Sequence, residues 1–96
     1  MSRSDIIQQL KAFKELRAEE YGIQAMGVFG SVARYEATEN SDVDIVVKIK
    51  VPNPYIIVHI KEEIAEQLQL SVDIVRFRDK MNSFLKKRIE QDVIYV

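Results

Sequence analysis

Apolar side chains at the start of the chain recur every three or four residues, which is the period of one face of an α-helix. A serine at position 2 or 4 can cap the start of such a helix, and Asp5 suits its positive end. Gly22 can end it in a left-handed turn. The pattern therefore predicts a first helix whose buried side carries Ile6, Leu10, Phe13 and Leu16.

The pattern then changes to short apolar runs rich in β-branched residues, as in buried strands. Such runs occupy residues 25–29, 42–50, 70–77 and 93–96. The second run is the clearest, because five of its nine residues are valine or isoleucine. Between the first two runs we expect a short helix or turn and a polar loop.

Helical spacing returns twice between the later strands. Asn53 can cap a helix that starts with Pro54 and continues to about Gln69. Asp79 can cap a last helix in the same way. The buried faces would carry Ile57, Ile60, Ile64 and Leu68 in the first of these helices, and Met81, Leu85 and Ile89 in the second.

The predicted order alternates helices with strands from one end of the chain to the other. Alternation of this kind is typical of crossover connections, in which helices pack on a sheet. We therefore expect an α/β (α+β) fold with a small mixed sheet of three or four strands. A chain of 96 residues is the length of a single domain, here residues 1–96.

The composition excludes several classes of function. The 14 basic residues are balanced by 15 acidic ones, so we do not expect direct binding to nucleic acid, although this balance is compatible with a local basic patch. The sequence has no cysteine, which excludes disulfides and thiolate metal sites. No apolar run approaches the roughly 18 residues of a membrane helix, and the first residues lack a signal-peptide pattern. We expect a cytoplasmic protein.

Three aspartates are the candidate metal ligands. Asp42 and Asp44 lie two apart at the start of a strand, so their side chains share one face. Asp73 interrupts a later apolar strand, where an unpaired acid would be costly if buried. A helix between the two strands is long enough for a parallel crossover, which would bring all three carboxylates together. The alternative is that they are solvated residues at the start or edge of a strand.

A glycine and a serine directly after the first strand are the second candidate feature. Gly30 would let the backbone approach a ligand closely, and the free amides of a helix start attract phosphate. The hydroxyl of Ser31 can add a donor. By itself, this dipeptide is more often a simple tight turn.

Together these segments resemble the minimal nucleotidyltransferase family, small relatives of DNA polymerase beta. Residues 30–36 (GSVARYE) and 41–45 (SDVDI) are similar to the family pattern Gly-Ser-x-Ala-Arg-Gly-Glu followed by Ser-Asp-x-Asp-Leu or -Ile. Asp73 matches a later acid of the family. The resemblance spans residues 28–75 and implies a nucleotidyltransferase fold with Mg²⁺-dependent transfer of a nucleoside monophosphate.

The resemblance also implies a role for each matching residue. Two Mg²⁺ ions would be bound by the catalytic carboxylates, and the third of these would help to deprotonate the incoming hydroxyl. The nucleotide, with ATP as the substrate, would be bound by the glycine, both serines and the arginine of the motif, although the arginine could instead fix its loop. The catalytic and metal-binding set is Asp42, Asp44 and Asp73, and the nucleotide-binding set is Gly30, Ser31, Arg34 and Ser41.

Tyr35 departs from the family pattern, which has glycine at this position. If the position requires a positive φ, a tyrosine would be strained there. We expect the phosphate-binding turn to differ slightly from that of the family, and the carboxylates to be unaffected.

Chains of this length resemble the antitoxins of HEPN/minimal-nucleotidyltransferase toxin–antitoxin modules. This resemblance implies transfer of AMP from ATP to a tyrosine of a HEPN toxin, in a hetero-oligomer with that partner. Two alternatives remain open: an inactive antitoxin that acts by binding alone, and a subunit that modifies a small molecule such as an antibiotic.

Other residues that could carry chemistry have ordinary interpretations. His59 is expected to be exposed on a helix. The basic residues 86–88 are expected to be solvated near a helix end, and the minor alternative is that they bind an RNA-like or acidic partner surface. Arg76 and Arg78 could reach a phosphate but are as readily explained as surface residues.

Overall fold

The computed structural model describes residues 2–38 and 41–96, and within them four helices alternate with four strands as predicted. None of the helices in this part of the chain has the length and hydrophobicity needed to cross a membrane. The helices are α1 (Arg3–Tyr21), α2 (Gly30–Ala33), α3 (Pro54–Leu68) and α4 (Ser83–Asp92), and the strands are β1 (Ile23–Phe29), β2 (Val43–Ile49), β3 (Val72–Arg76) and β4 (Ile94–Tyr95).

The four strands form one mixed sheet in the order β3-β2-β1-β4. β1 is antiparallel to both of its neighbours, whereas β2 and β3 are parallel and are joined by α3. The expected small mixed sheet and the parallel crossover are thus confirmed. β3 lies at an edge of the sheet, which agrees with the alternative interpretation of Asp73 as a solvated residue of an edge strand.

Each face of the sheet is covered by different helices. α1 and α3 pack on the face that carries Val43, Ile45 and Val47 of β2. The opposite face is covered around α4, where Phe29, Val46, Met81 and Ile89 form a second cluster. Because side chains alternate along a strand, Asp44 and Lys48 lie on the same face as Val46. The candidate carboxylate Asp44 is therefore on the α4 side.

α1 begins and ends as its sequence predicts, but one predicted core residue is wrong. Ser2 and Asp5 form a capping box, and Gly22 adopts φ +68° at the C-terminal end. Leu16 is 72% exposed. The 3.6-residue period places it about 80° away from the buried stripe, and Arg17 falls on that stripe instead. Arg17 pairs with Glu63 of α3 at 3.1 Å.

Of the two caps predicted for the later helices, one is correct and one is wrong. Asn53 caps α3 by accepting a hydrogen bond from the amide of Tyr55, with Pro54 in the first turn. Asp79 does not cap α4, because the chain first makes a turn that buries Met81. The cap is Asn82, which accepts from the amide of Leu85 at 3.0 Å.

Candidate functional site

Two of the three predicted carboxylates are direct neighbours across the sheet. Asp44 of β2 is paired in register with Asp73 of β3, so their side chains stand side by side on the α4 face. Asp42 directly precedes β2. Asp44 is half-buried, and the other two are exposed. The adjacency that the crossover predicted is confirmed, and it concentrates negative charge at one end of the sheet.

This concentration of charge acts on the central carboxylate. Partial burial raises the pKa of Asp44, and the negative charges of Asp73 and Asp42 raise it further. The positive charges of Arg88 and Arg34 oppose this shift. The protein thus provides too little positive charge to balance the carboxylate of Asp44, and a bound cation would supply it.

The donor set fits Mg²⁺ in its chemistry, since hard cations prefer carboxylate oxygens. Among residues 2–38 and 41–96, however, no group of three or more histidine, cysteine, aspartate or glutamate side chains is arranged to hold a metal ion. Two of the carboxylates are exposed on the surface and would have to turn toward the third. The assignment of Asp42, Asp44 and Asp73 as metal ligands therefore stays a prediction.

Gly30 faces these carboxylates from the end of β1. It has φ +73° and begins α2, and a Cβ atom at this position would overlap the carboxylate oxygen Oδ2 of Asp44. Only glycine combines this backbone conformation with so close an approach. Ser31 follows, half-buried, in the first turn of α2. The predicted phosphate-binding dipeptide and the carboxylates are thus in direct contact through Gly30 and Asp44.

Ser41 makes contacts within its own loop. Its hydroxyl accepts a hydrogen bond from the amide of Thr38 at 2.9 Å, and its amide donates to the carbonyl oxygen of Thr38 at 3.0 Å. These bonds join Thr38 to Ser41. They fix the chain just before Asp42, and the nucleotide-binding role of Ser41 stays a prediction.

Arg34 is engaged by two carboxylates. Its guanidinium donates to Asp92 of α4 at 2.6 Å and to Glu36 at 3.2 Å. Both hydrogen bonds raise the pKa of Arg34. Of the two roles that the sequence left open, these contacts serve the fixing of the loop, because they tie the end of α2 to α4. Contact with a phosphate stays a prediction.

The two ion pairs of Arg34 should differ in their contribution to stability. We expect Asp92→Asn to lower the free energy of unfolding by about 1 kcal/mol, because its carboxylate is mostly buried and the bond is short. Glu36→Gln should change it by less than about 0.5 kcal/mol, because that pair is exposed. Urea unfolding of both variants measures the difference, and equal effects would contradict it.

Tyr35 has φ +61°, so the position does require the left-handed conformation that the sequence comparison with the family suggested. The strained tyrosine is held by Arg3, whose guanidinium donates to the tyrosine hydroxyl at 2.7 Å. The same guanidinium lies 4.1 Å from the centre of the ring. These contacts offset part of the backbone strain.

Substitutions at Tyr35 should separate the cost of its strained backbone from the stabilising effect of its contact with Arg3. We expect Tyr35→Gly to change the free energy of unfolding by less than about 1 kcal/mol, because relief of strain offsets the loss of the Arg3 contact. Tyr35→Val should cost about 2 kcal/mol, because it loses the contact and puts a β-branched residue at positive φ. The measurement is urea unfolding, and a valine variant as stable as the glycine variant would refute this interpretation.

The positive charge of Arg88 opposes the raised pKa of Asp44, an effect that the sequence analysis did not predict. The basic residues 86–88 were assigned to solvent, and Arg88 is exposed, but its charge acts on Asp44. The sequence contained one indication of this effect. Ile89 lies on the predicted buried face of α4, which places its neighbour Arg88 close to the sheet. Which face of the sheet α4 covers could not be read from the sequence. The expectation for His59 is confirmed, as it is exposed on α3.

Paired carboxylates at the start of adjacent parallel strands, facing a glycine-serine turn, agree with the pattern by which the sequence resembles the nucleotidyltransferase class of proteins. The chain belongs to the nucleotidyltransferase domain family, whose model matches residues 6–96. It is therefore a nucleotidyltransferase.

Individual relatives agree with this assignment. The chain is 39% identical over 84 residues to the protein adenylyltransferase MntA of Thermococcus cleftensis, covering 86% of this chain and 83% of that protein. A solved structure described as a candidate minimal nucleotidyltransferase is 27% identical, with a TM-score of 0.81 and coverage of 98% of this chain and 95% of that one.

Two solved toxin–antitoxin structures share the fold. One, with AMP-PNP, has a TM-score of 0.74 at 24% identity and covers 91% of this chain and 70% of that one. The other contains a tri-AMPylated HEPN toxin of Shewanella oneidensis with its minimal nucleotidyltransferase antitoxin, with a TM-score of 0.65 at 22% identity, and covers 91% of this chain and 66% of that one.

Proposed function

We propose that this chain transfers AMP from ATP to a tyrosine hydroxyl of a partner protein in the cytoplasm. The observation that carries the proposal is the pairing of Asp44 with Asp73 directly beside Gly30. The name of the Thermococcus cleftensis relative, a protein adenylyltransferase, supports AMP as the group and a protein as the acceptor.

Asp42, Asp44 and Asp73 would hold the divalent ions, with Mg²⁺ as the expected metal. When bound, such ions neutralise the charge of the triphosphate and align the attacking and leaving oxygens. The raised pKa of Asp44 supports this assignment, because its negative neighbours leave a need for positive charge.

The residues of the chain bind and orient the reactants. The backbone amides at Gly30 and the hydroxyl of Ser31 would hold the triphosphate tail at the start of α2. The acceptor hydroxyl oxygen forms a bond to the α-phosphorus, the bond from that phosphorus to the bridging oxygen breaks, and pyrophosphate leaves. Asp73, which is exposed to an incoming acceptor, would take the hydroxyl proton.

The proposed partner is a HEPN-type toxin, and the chain would act as its antitoxin by modifying it. The support is the similarity to MntA of Thermococcus cleftensis and the shared fold with the antitoxin bound to an AMPylated toxin in Shewanella oneidensis. The chain would then function within a hetero-oligomer.

The test is transfer of label from ATP to the protein encoded by the neighbouring reading frame, in the presence of Mg²⁺. We expect label on that protein with the unmodified chain and none with Asp42→Asn plus Asp44→Asn. Retained binding of the partner without label, even with the unmodified chain, would contradict the proposal and favour an antitoxin that acts by binding alone.

A further inference from the structure

The sheet face that α4 covers has the carboxylates at one end and a cluster of positive charge at the other. We call this cluster the Phe77 patch. It consists of Lys48, Phe77, Arg78 and Lys86. The ammonium group of Lys48 lies 4.6 Å from the centre of the Phe77 ring, and that of Lys86 lies 5.8 Å from it. Two cations from different elements, β2 and α4, are thus gathered on one aromatic ring.

The charges of the Phe77 patch are not neutralised within the part of the chain that the structure describes. The ion pairs found there use only Arg17 and Arg34 as cations. Lys86 reaches the backbone carbonyl of Asp79 at 3.5 Å, and no ion pair involves Lys48 or Arg78 in residues 2–38 and 41–96.

A depression in the surface lies against this charge. It has a volume of about 350 Å³ and is lined by Gln24, Lys48, Ile49, Phe77, Arg78 and Asp79. The patch contains three cations, Lys48, Arg78 and Lys86, whereas the lining of the depression contains one carboxylate, that of Asp79. Attraction to the ring explains why the lysines gather, and their mutual repulsion favours a ligand that brings negative charge.

The same face limits which anion fits. Asp44 and Lys48 are four residues apart on β2, which places the acidic and basic ends about 13 Å from each other. Three cations are few for binding a nucleic-acid strand, and the chain as a whole has 14 basic residues against 15 acidic ones. A protein surface can carry carboxylates opposite the patch and none opposite the acidic end.

We propose that the Phe77 patch is a docking surface for an acidic stretch of the protein acceptor, and the identity of this occupant rests on the proposed function. Docking there would place acidic side chains of the acceptor about 13 Å from the hydroxyl that enters beside Asp73. The patch thus selects acceptors by charge, while the carboxylate end performs the transfer.

The binding test uses a labelled oligoglutamate peptide and a single-stranded RNA oligomer of equal charge, with fluorescence anisotropy as the readout. We expect the peptide to bind in a salt-sensitive manner, and Lys48→Gln plus Lys86→Gln to weaken this binding about tenfold. Lys48→Arg plus Lys86→Arg, which keeps both charges, should retain binding.

The matched control is Lys11→Gln plus Lys61→Gln, which removes two exposed lysines elsewhere and should weaken binding by less than about twofold. Absence of peptide binding, an equal loss in the control, or tighter binding of the RNA would overturn the proposal.

The acceptor test measures the KM for the acceptor protein in the transfer reaction. The Lys48→Gln plus Lys86→Gln variant should raise this KM about tenfold and leave kcat and the KM for ATP unchanged. Transfer with an unchanged acceptor KM would overturn the docking proposal alone. Absence of transfer by the unmodified chain, with peptide binding intact, would overturn the proposed function and with it the acceptor as occupant.

Discussion

Asp44→Asn is expected to abolish nucleotidyl transfer and, in the absence of metal, to raise the free energy of unfolding. The loss of activity should be on the order of a thousandfold or more, because an amide removes the negative charge that would hold the metal ion. The gain in stability follows from the neighbours of Asp44. Its pKa is raised by burial and by Asp73 and Asp42, so its charged form destabilises the fold.

The pH dependence of this effect has a defined sign. Because the folded pKa of Asp44 lies above the ordinary value of 3.8, protonation of this group stabilises the fold. That contribution is fully present below pH 3.8 and is lost as the pH rises through the raised pKa. Asp44→Asn should therefore become more stable than the unmodified chain as the pH rises through this range, and the difference should stay constant at higher pH.

Thermal unfolding at several pH values, with and without Mg²⁺, measures both parts of this prediction. Mg²⁺ should stabilise the unmodified chain and have little effect on Asp44→Asn, because a ligand that binds only the folded state raises its stability. Glu62→Gln, at an exposed glutamate of α3 outside the carboxylate site, is the control and should change neither the stability nor the effect of Mg²⁺. An Asp44→Asn variant less stable than the unmodified chain at neutral pH without metal would contradict the account.

Gly30→Ala is expected to impair both folding stability and transfer. The added Cβ would overlap the Asp44 carboxylate, and alanine is strained at φ +73°. We expect a loss of about 2–3 kcal/mol in the free energy of unfolding and at least a hundredfold loss in kcat, because Asp44 must move away from its position.

A double variant separates the two causes. In an Asp44→Ala background the carboxylate oxygen is gone, so Gly30→Ala should cost only the backbone strain of about 1–2 kcal/mol. The difference between the two backgrounds is the interaction energy of the pair, obtained by urea unfolding of the four proteins. Equal costs in both backgrounds would show that Gly30 does not confine Asp44.

The sequence predicted the path of the chain well where local chemistry decides it. The apolar strand after Asp44, followed by a helix of crossover length, was sufficient to place Asp73 beside Asp44. The convergence of Asp42 with these two carboxylates stays a prediction. Two local predictions were wrong, for Leu16 and for Asp79. The 3.6-residue period itself places Leu16 off the buried stripe of α1. The choice of Asn82 over Asp79 as the cap of α4 depends on the turn that buries Met81, which the sequence pattern does not reveal.

The part of the site that could not be predicted depends on the sheet face that α4 covers. The action of Arg88 on Asp44, the ion pair of Arg34 with Asp92 and the meeting of Lys48 with Lys86 all follow from that docking. The positive φ of Tyr35 was anticipated, because glycine occupies this position in the family pattern. Its stabilising contact with Arg3 joins residues far apart in the sequence, and nothing local indicated it.

We propose that Asp42, Asp44 and Asp73 bind divalent metal against a nucleotide held at Gly30. The most direct measurement is a crystal structure with Mn²⁺ and a non-hydrolysable ATP analogue, in which anomalous scattering locates the metal. We predict metal peaks about 2.0–2.3 Å from oxygens of these carboxylates, with the triphosphate against the start of α2. Metal or nucleotide bound elsewhere, with these three side chains unliganded, would contradict the claim.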